Sequence, residues 1–276
     1  MTYANQEVLE FYKELPFNIF GDLNTAINQI KANDPLEVYP ELKKIIGSKK
    51  VNILDIGCGG GWLVNSLCYH LNEQVKVVGV DYNPVVINYA KEIRDKLQLK
   101  SEFYVSDLFA LDETRKYDLI ISLGVLHHTN NCIEAIKKIL NYGNKNSTLF
   151  IGLYHKYSRE PFLNHFKKIE HLSEKEKFDE YKKLHKIKDE KKLYSWFRDQ
   201  VLHPHETQHT FEEMLELFSN TSYEIFSTSI NNFKEIKNFN EIIDKEKTLK
   251  QYAEKKIKNY EYLPGFFIIC AKNMSK

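Results

Sequence analysis

The stretch Leu54 to Val64, LDIGCGGGWLV, restricts the possible folds of this chain more than any other part of it. An apolar run suited to a buried strand enters glycines at 57, 59, 60 and 61 and leaves as a helical pattern. Glycine allows the main chain to turn tightly and to approach a ligand with no Cβ in the way. The helix N-terminus behind such a turn offers unpaired N–H groups to an electronegative ligand group. A strand, a glycine turn and a helix in this order predict an α/β sheet with a ligand at the carboxyl ends of its strands.

The chain downstream of Val51 repeats that alternation, as βαβ units and a parallel sheet require. VNILDI (51–56), KVVGV (76–80), SEFYV (101–105), YDLIISL (117–123) and STLFIGLY (147–154) read as strands. The last two are close to continuously apolar, which suits burial on both faces. Asn83-Pro84 predicts a helix start, with a cap residue ahead of proline at the first helical position. NNCIEAIKKILNYG reads as a further helix stopped by Gly143. After Tyr154 the rhythm changes to charged, aromatic, helical sequence until about 209, where Thr210 and Glu213 form a capping-box pair. YEIFSTSI (223–230) and GFFIICAK (265–272) read as two final strands flanking a charged helical insertion, 231–264. Four segments result: a helical cap over 1–50, a core over 51–154, an insertion over 155–209, and the rest of the core over 210–276.

Composition narrows the function classes. The 276 residues carry 39 basic and 38 acidic side chains, a formal net charge of +1, which gives no global attraction for nucleic acid. No apolar run approaches the roughly 18 to 20 residues that span a bilayer. The N-terminus lacks the basic flank and apolar stretch of a signal peptide. Cys58, Cys68, Cys132 and Cys270 are scattered without zinc or disulfide spacing, so no metal and a reduced, cytoplasmic setting are expected.

Two cofactor classes use a glycine turn of this kind. A dinucleotide fingerprint wants a third glycine for close helix–strand packing, and that position here is Trp62. The spacing that fits is D-x-G-x-G-x-G: Asp55, Gly57, Gly59 and Gly61. This resembles the first motif of class I S-adenosylmethionine-dependent methyltransferases. Asp81 ends the second strand in VVGVDYNP, beside Tyr82, and Asp107-Leu108 follow the third in YVSDLFAL. YDLIISLGVLHHT resembles the family's fourth motif. The resemblance covers 50–155 closely and 210–275 loosely. It implies a seven-stranded, mostly parallel Rossmann-like sheet with helices on both faces. It further implies S-adenosylmethionine as cofactor, with Asp81 on the ribose hydroxyls, Asp107 and Leu108 at the adenine, and Leu123 beside the methionine part.

Methyl transfer from a sulfonium is an in-line displacement that depends on positioning. A general base helps where the acceptor is a hydroxyl or a protonated amine, and histidine suits neutral pH. His127 and His128 follow the fourth strand, and each reads either as a base or orienting group or as loop packing. His155 follows the fifth strand near Tyr154, Tyr157 and Arg159, a set able to hold an acidic or hydroxylated acceptor or to begin a solvated loop. HETQH (205–209) matches a zinc-protease pattern, but Pro204 and the helix start at Thr210 place it before the helix on which that chemistry depends. The protease is therefore rejected. Arg198, Asp199, His203, His205 and His209 are expected to fold over the sheet and line the acceptor pocket. His127, His155 and His203 are thus the catalytic candidates; Tyr154, Tyr157, Arg159, Arg198, His205 and His209 are the substrate-binding ones. In FYKELPFNIF, Tyr12 and Phe17 either cap the cofactor or staple the segment to the sheet.

The expected activity is O- or N-methylation of a small polar metabolite in a bacterial biosynthetic pathway, by a monomer or homodimer. A modified tRNA nucleoside is the alternative acceptor. A non-catalytic regulator that binds the same cofactor is the alternative of another class.

Overall fold

A computed structural model describes residues 5–17, 19 and 22–275. Seven strands form one sheet: β1 Val51–Ile56, β2 Val75–Asp81, β3 Glu102–Val105, β4 Tyr117–Leu123, β5 Gly143–Tyr154, β6 Tyr223–Thr228 and β7 Phe266–Asn273. Their order is β3-β2-β1-β4-β5-β7-β6. Neighbours from β3 through β5 run parallel, and β7 is antiparallel to both β5 and β6. The strand order reverses between β1 and β4, and the crevice at such a switch point is where ligands bind in open α/β sheets.

Alternation along the strands divides the core between the two faces. Ile53, Val77, Leu119, Ile121 and Phe150 pack beneath α4 (Pro40–Ile46), α5 (Trp62–Leu71) and α6 (Pro84–Leu97). Leu54, Val78, Ile120, Leu149 and Ile151 pack beneath α7 (Cys132–Leu140) and α11 (Phe211–Ser219). The N-terminal prelude comprises α1 (Gln6–Glu14), α2 (Leu23–Ala32) and α3 (Pro35–Val38) ahead of α4. Asn18 and Phe20 of the FYKELPFNIF turn lie outside the described residues.

The insertion forms α8 (Lys156–Lys167), α9 (Glu174–Lys183) and α10 (Glu190–Phe197), with a separate aromatic core that includes Phe162, Phe166, Tyr181 and Phe197. A five-residue π turn, Arg198–Leu202, continues α10. The charged segment before β7 carries α12, Phe239–Lys258. Among the described residues no helix is long and apolar enough to cross a membrane.

Local start signals behave as their chemistry requires. The Asn83 side chain accepts from Val85 N ahead of Pro84, and Thr210 with Glu213 closes a reciprocal capping box on α11. Gly143 differs from its reading as a helix stop. α7 ends at Leu140, and Gly143 is the first residue of β5, paired with Tyr117. Its requirement is steric, because a Cβ there would stand 1.9 Å from the Tyr223 hydroxyl.

Candidate active site

A cavity of about 630 Å³ opens at the switch point, running from the glycine turn after β1 to the π turn of the insertion. Gly57, Gly59, Asp81, Tyr82, Asp107, Leu108 and Leu123 line one end. Tyr12, His128, Tyr154, Trp196, Asp199 and Gln200 line the other.

The glycines divide the work of the turn. Gly57, Gly59 and Gly61 all hold positive φ (73°, 52° and 72°). A Cβ on Gly57 would meet Val125 at 2.3 Å, and one on Gly61 would meet Ala90 at 2.6 Å. Those two glycines permit close packing. A Cβ on Gly59 or on Gly124 would enter open space, and both residues face the cavity. The turn therefore leaves a cradle that side chains would fill, which fits the methionine-bearing cofactor implied by the motif. Asp81 shapes the same cradle: its Oδ2 accepts from Gly59 N at 2.9 Å and its Oδ1 from Asn83 N at 2.9 Å. Each oxygen keeps a lone pair that a ribose hydroxyl could use. Asp107 Oδ1 accepts from Phe109 N at 2.9 Å, which orients its carboxylate at the cavity wall beside Leu108.

Two residues of the expected cofactor set stand apart from the cavity lining. Gly61 sits behind the turn as the first cap of α5. Asp55 is 5% exposed within β1, and burial followed by the Asp81 charge pushes its carboxyl up to about 7.

The histidines divide differently from expectation. His127 is 1% exposed, packed 4.2 Å from the Tyr154 ring and 4.3 Å from His128, and it does not line the cavity. Burial drives its pKa well below the ordinary value. His155 is fully buried and donates from Nε2 to Glu246 Oε2 at 2.8 Å. Glu246 also accepts from Phe211 N at 2.6 Å and Glu212 N at 3.3 Å, so this pair ties α12 to the N-terminus of α11. His203 lies behind the wall, its ring 3.8 Å from that of His128 and its Nδ1 accepting from His205 N at 3.1 Å. Burial pushes it down to about 2. None of these three catalytic candidates reaches the cavity lining.

His128 does reach it. Its Nδ1 donates to the His205 carbonyl at 2.9 Å, which leaves the lone pair on Nε2. No hydrogen bond engages that Nε2 among the described residues. Burial holds the ring below its ordinary pKa, so it is neutral near pH 7 and able to take a proton.

Most of the expected substrate residues build the wall from behind. Arg159 is fully buried and forks onto Glu206, Nε to Oε1 at 3.0 Å and one terminal nitrogen to Oε2 at 2.7 Å, with a further bond to the Gln200 carbonyl. Its charge is paired there, its other terminal nitrogen is buried without a hydrogen-bond partner among the described residues, and the residue does not line the cavity. Arg198 covers Phe11 and pairs with Glu14 at 2.9 Å. His205 donates to the Thr129 carbonyl at 3.0 Å, and His209 pairs with Glu213 at 3.0 Å. Tyr157 packs near His155 on α8. Residues 203–209 are not helical, so the two histidines of HETQH share no helix face. Tyr154 alone of the substrate set lines the cavity.

The π turn supplies Asp199, expected from the sequence to line the acceptor pocket, and Gln200, which sequence reasoning left unassigned. Asp199 accepts from the Tyr12 hydroxyl at 2.5 Å and from the Tyr154 hydroxyl at 3.5 Å. Gln200 Oε1 accepts from Tyr181 at 2.9 Å and Tyr262 at 2.8 Å, which fixes the amide and leaves its two Nε2 protons as donors. Single-turn π segments recur at functional sites. Tyr262, Pro264 and Phe266 complete this end from the approach to β7. A Pro-Gly pair ahead of the last strand was their only local signal.

A family model described as "Methyltransferase domain" matches residues 47–264. A ubiquinone biosynthesis O-methyltransferase of Pelagibacter ubique (strain HTCC1062) is 32% identical over 108 residues, 39% of this chain and 44% of that protein. A probable (S)-tetrahydroprotoberberine N-methyltransferase 2 of Papaver bracteatum is 30% identical over 131 residues, 47% of this chain and 35% of that protein. The chain thus spans less than half the length of these curated relatives. Among solved structures, the plantazolicin methyltransferase BpumL in complex with SAH aligns over 98% of this chain and 95% of that one, with a TM-score of 0.54 and 16% identity. PKMT2 from Rickettsia typhi in complex with AdoHcy aligns over 86% and 53%, with a TM-score of 0.61 and 17% identity. The chain belongs to the methyltransferase-domain family, that of the class I S-adenosylmethionine-dependent enzymes which its glycine motif resembles.

Proposed function

We propose that this chain transfers a methyl group from S-adenosylmethionine to an oxygen or nitrogen of a small polar acceptor. The observation that carries the proposal is the single cavity joining the open glycine cradle to an imidazole with a free lone pair. Relatives named as O- and N-methyltransferases support chemistry at either atom.

Bound in the cradle, the cofactor supplies an electrophilic methyl group. Gly59, Asp81, Asp107 and Leu108 would hold it. The acceptor's lone pair would take that methyl in line with the departing sulfur, which would keep the electron pair of the broken carbon–sulfur bond. The proton shed by the acceptor passes to His128 Nε2, whose tautomer the His205 carbonyl fixes. A positioned base of this kind contributes about 10²–10⁴-fold. Aromatic walls and the Gln200 amide orient the acceptor and exclude water.

Calorimetric titration with SAM and SAH tests the cofactor half of the proposal. Wild type is expected to bind both, and Asp81→Ala to bind about 100-fold or more weakly, because two charge-assisted hydrogen bonds are lost. Undiminished binding by the variant would remove the assignment of Asp81. No binding by wild type would remove the proposal.

A further inference from the structure

We infer that the acceptor carries a protonated amine and that the Asp199 carboxylate is the group that recognises it. The inference rests on the methyltransferase reading and names its substrate class.

Asp199 is 7% exposed, yet it lines the cavity. Its two oxygens meet only neutral donors, the hydroxyls of Tyr12 and Tyr154. No ion pair joins it among the described residues. The arginines that could have supplied one are engaged elsewhere, Arg159 with Glu206 and Arg198 with Glu14. Burial holds His128 below its ordinary pKa against the pull of the Asp199 charge, and burial likewise holds the Asp199 carboxyl above its own, as expected of a carboxylate without a full cation partner. Buried carboxylates are costly unless a positive group accompanies them, and the cost grows where water is excluded. Here Trp196, Tyr262 and Phe266 enclose the same end of the cavity.

Such a site discriminates by charge. An ammonium group completes the carboxylate's coordination and sits comfortably against aromatic rings. A neutral group leaves the carboxylate unpaired, and an anion meets direct repulsion. The π turn gives the arrangement rigidity: Asp199 is held by Tyr12 across the cavity, while Gln200 is locked by Tyr181 and Tyr262. The charge offered to the acceptor is thus the reverse of the one suggested by the arginines in the sequence.

Three probes of one shape test this on the full chain saturated with SAH: phenethylamine, 2-phenylethanol and phenylacetate, followed by ligand-observed NMR at pH 7. Phenethylamine is expected to bind roughly tenfold or more tightly than 2-phenylethanol, with phenylacetate weakest. Asp199→Asn, nearly isosteric, is expected to erase the preference. SAH affinity and melting temperature, measured on the same samples, verify that the variant is folded. Equal binding of the amine and the alcohol, or a preference that survives Asp199→Asn, overturns the inference. So does a chain that binds SAH but not phenethylamine, with the methyltransferase reading left intact. Failure to bind SAH would instead strike that reading itself.

Discussion

Asp55 and Asp81 are two carboxylates of one strand-end cluster, yet only Asp81 faces the cavity. Among the described residues no ion pair joins the buried Asp55, and its folded pKa of about 7 stands above the reference value of 3.8. A carboxyl raised on folding binds its proton more tightly in the native state, so stability falls as pH rises between those two values. The penalty is absent below pH 4 and full above pH 7. Asp55→Asn is therefore expected to stabilise the ligand-free protein by on the order of 2–4 kcal/mol at pH 8 and negligibly at pH 4, in urea unfolding at both. A stabilisation independent of pH would contradict it. His128 and His127 form a second contrast. His128→Ala is expected to lower kcat by about 10²–10⁴-fold with SAH affinity unchanged. The wild-type rate is expected to fall on acidification only below pH 6.5, since burial lowers the His128 pKa from that value. A kcat insensitive to His128→Ala would return the search to other groups. The glycine end of the cavity was legible because its lining residues follow the ends of successive strands, each in a short local motif. The acceptor end was less so. Sequence offers adjacent histidines no means of distinction, whereas one carbonyl of His205 sets the His128 tautomer from 77 residues away.

At the scale of elements, periodicity and caps located every strand of the sheet, because all but β3, where only Phe103 is buried, bury most of an apolar run. What they missed were constraints imposed across the fold. Gly143 looked like helix punctuation, yet it answers to Tyr223 on β6, whose hydroxyl also lies 2.8 Å from Ser147 Oγ. Gly143→Ala is expected to destabilise by about 1–3 kcal/mol through overpacking. Adding Tyr223→Phe should recover part of that loss, a coupling readable in a double-mutant cycle of urea midpoints. Strict additivity would show that the clash is not the cause. His155 similarly looked like a pocket residue because it follows a strand end, but Glu246 of α12 claims it. Glu246→Ala leaves His155 and two N–H groups of α11 without their acceptor and is expected to cost about 3–5 kcal/mol. Glu246→Gln keeps one acceptor oxygen and should cost less. Equal losses would mean that the charge, and not the hydrogen bonding, holds these helices together.

Over the whole molecule, the cavity is closed by segments almost two hundred residues apart. α1 contributes Val8, Leu9 and Tyr12 to its lining. Tyr12 reaches Asp199 through its hydroxyl, and its carbonyl accepts from Asn83 Nδ2 at 3.1 Å, the same asparagine that caps α6. Arg198 returns to Phe11 and Glu14 from the other side. One short helix therefore touches the cofactor end, the acceptor end and the insertion together. Helices of nine residues have little stability of their own in water, so α1 depends on these contacts. A ligand that fills the cavity strengthens them and should close α1 more firmly. Amide hydrogen exchange across Gln6–Glu14 is expected to slow on addition of SAH, by up to about 100-fold at a hundred times its Kd. Asn83→Ala should reduce that protection while SAH still binds. Slowed exchange at the glycine turn with α1 unchanged would show instead that the helix is a fixed wall, and that ligands enter by another route.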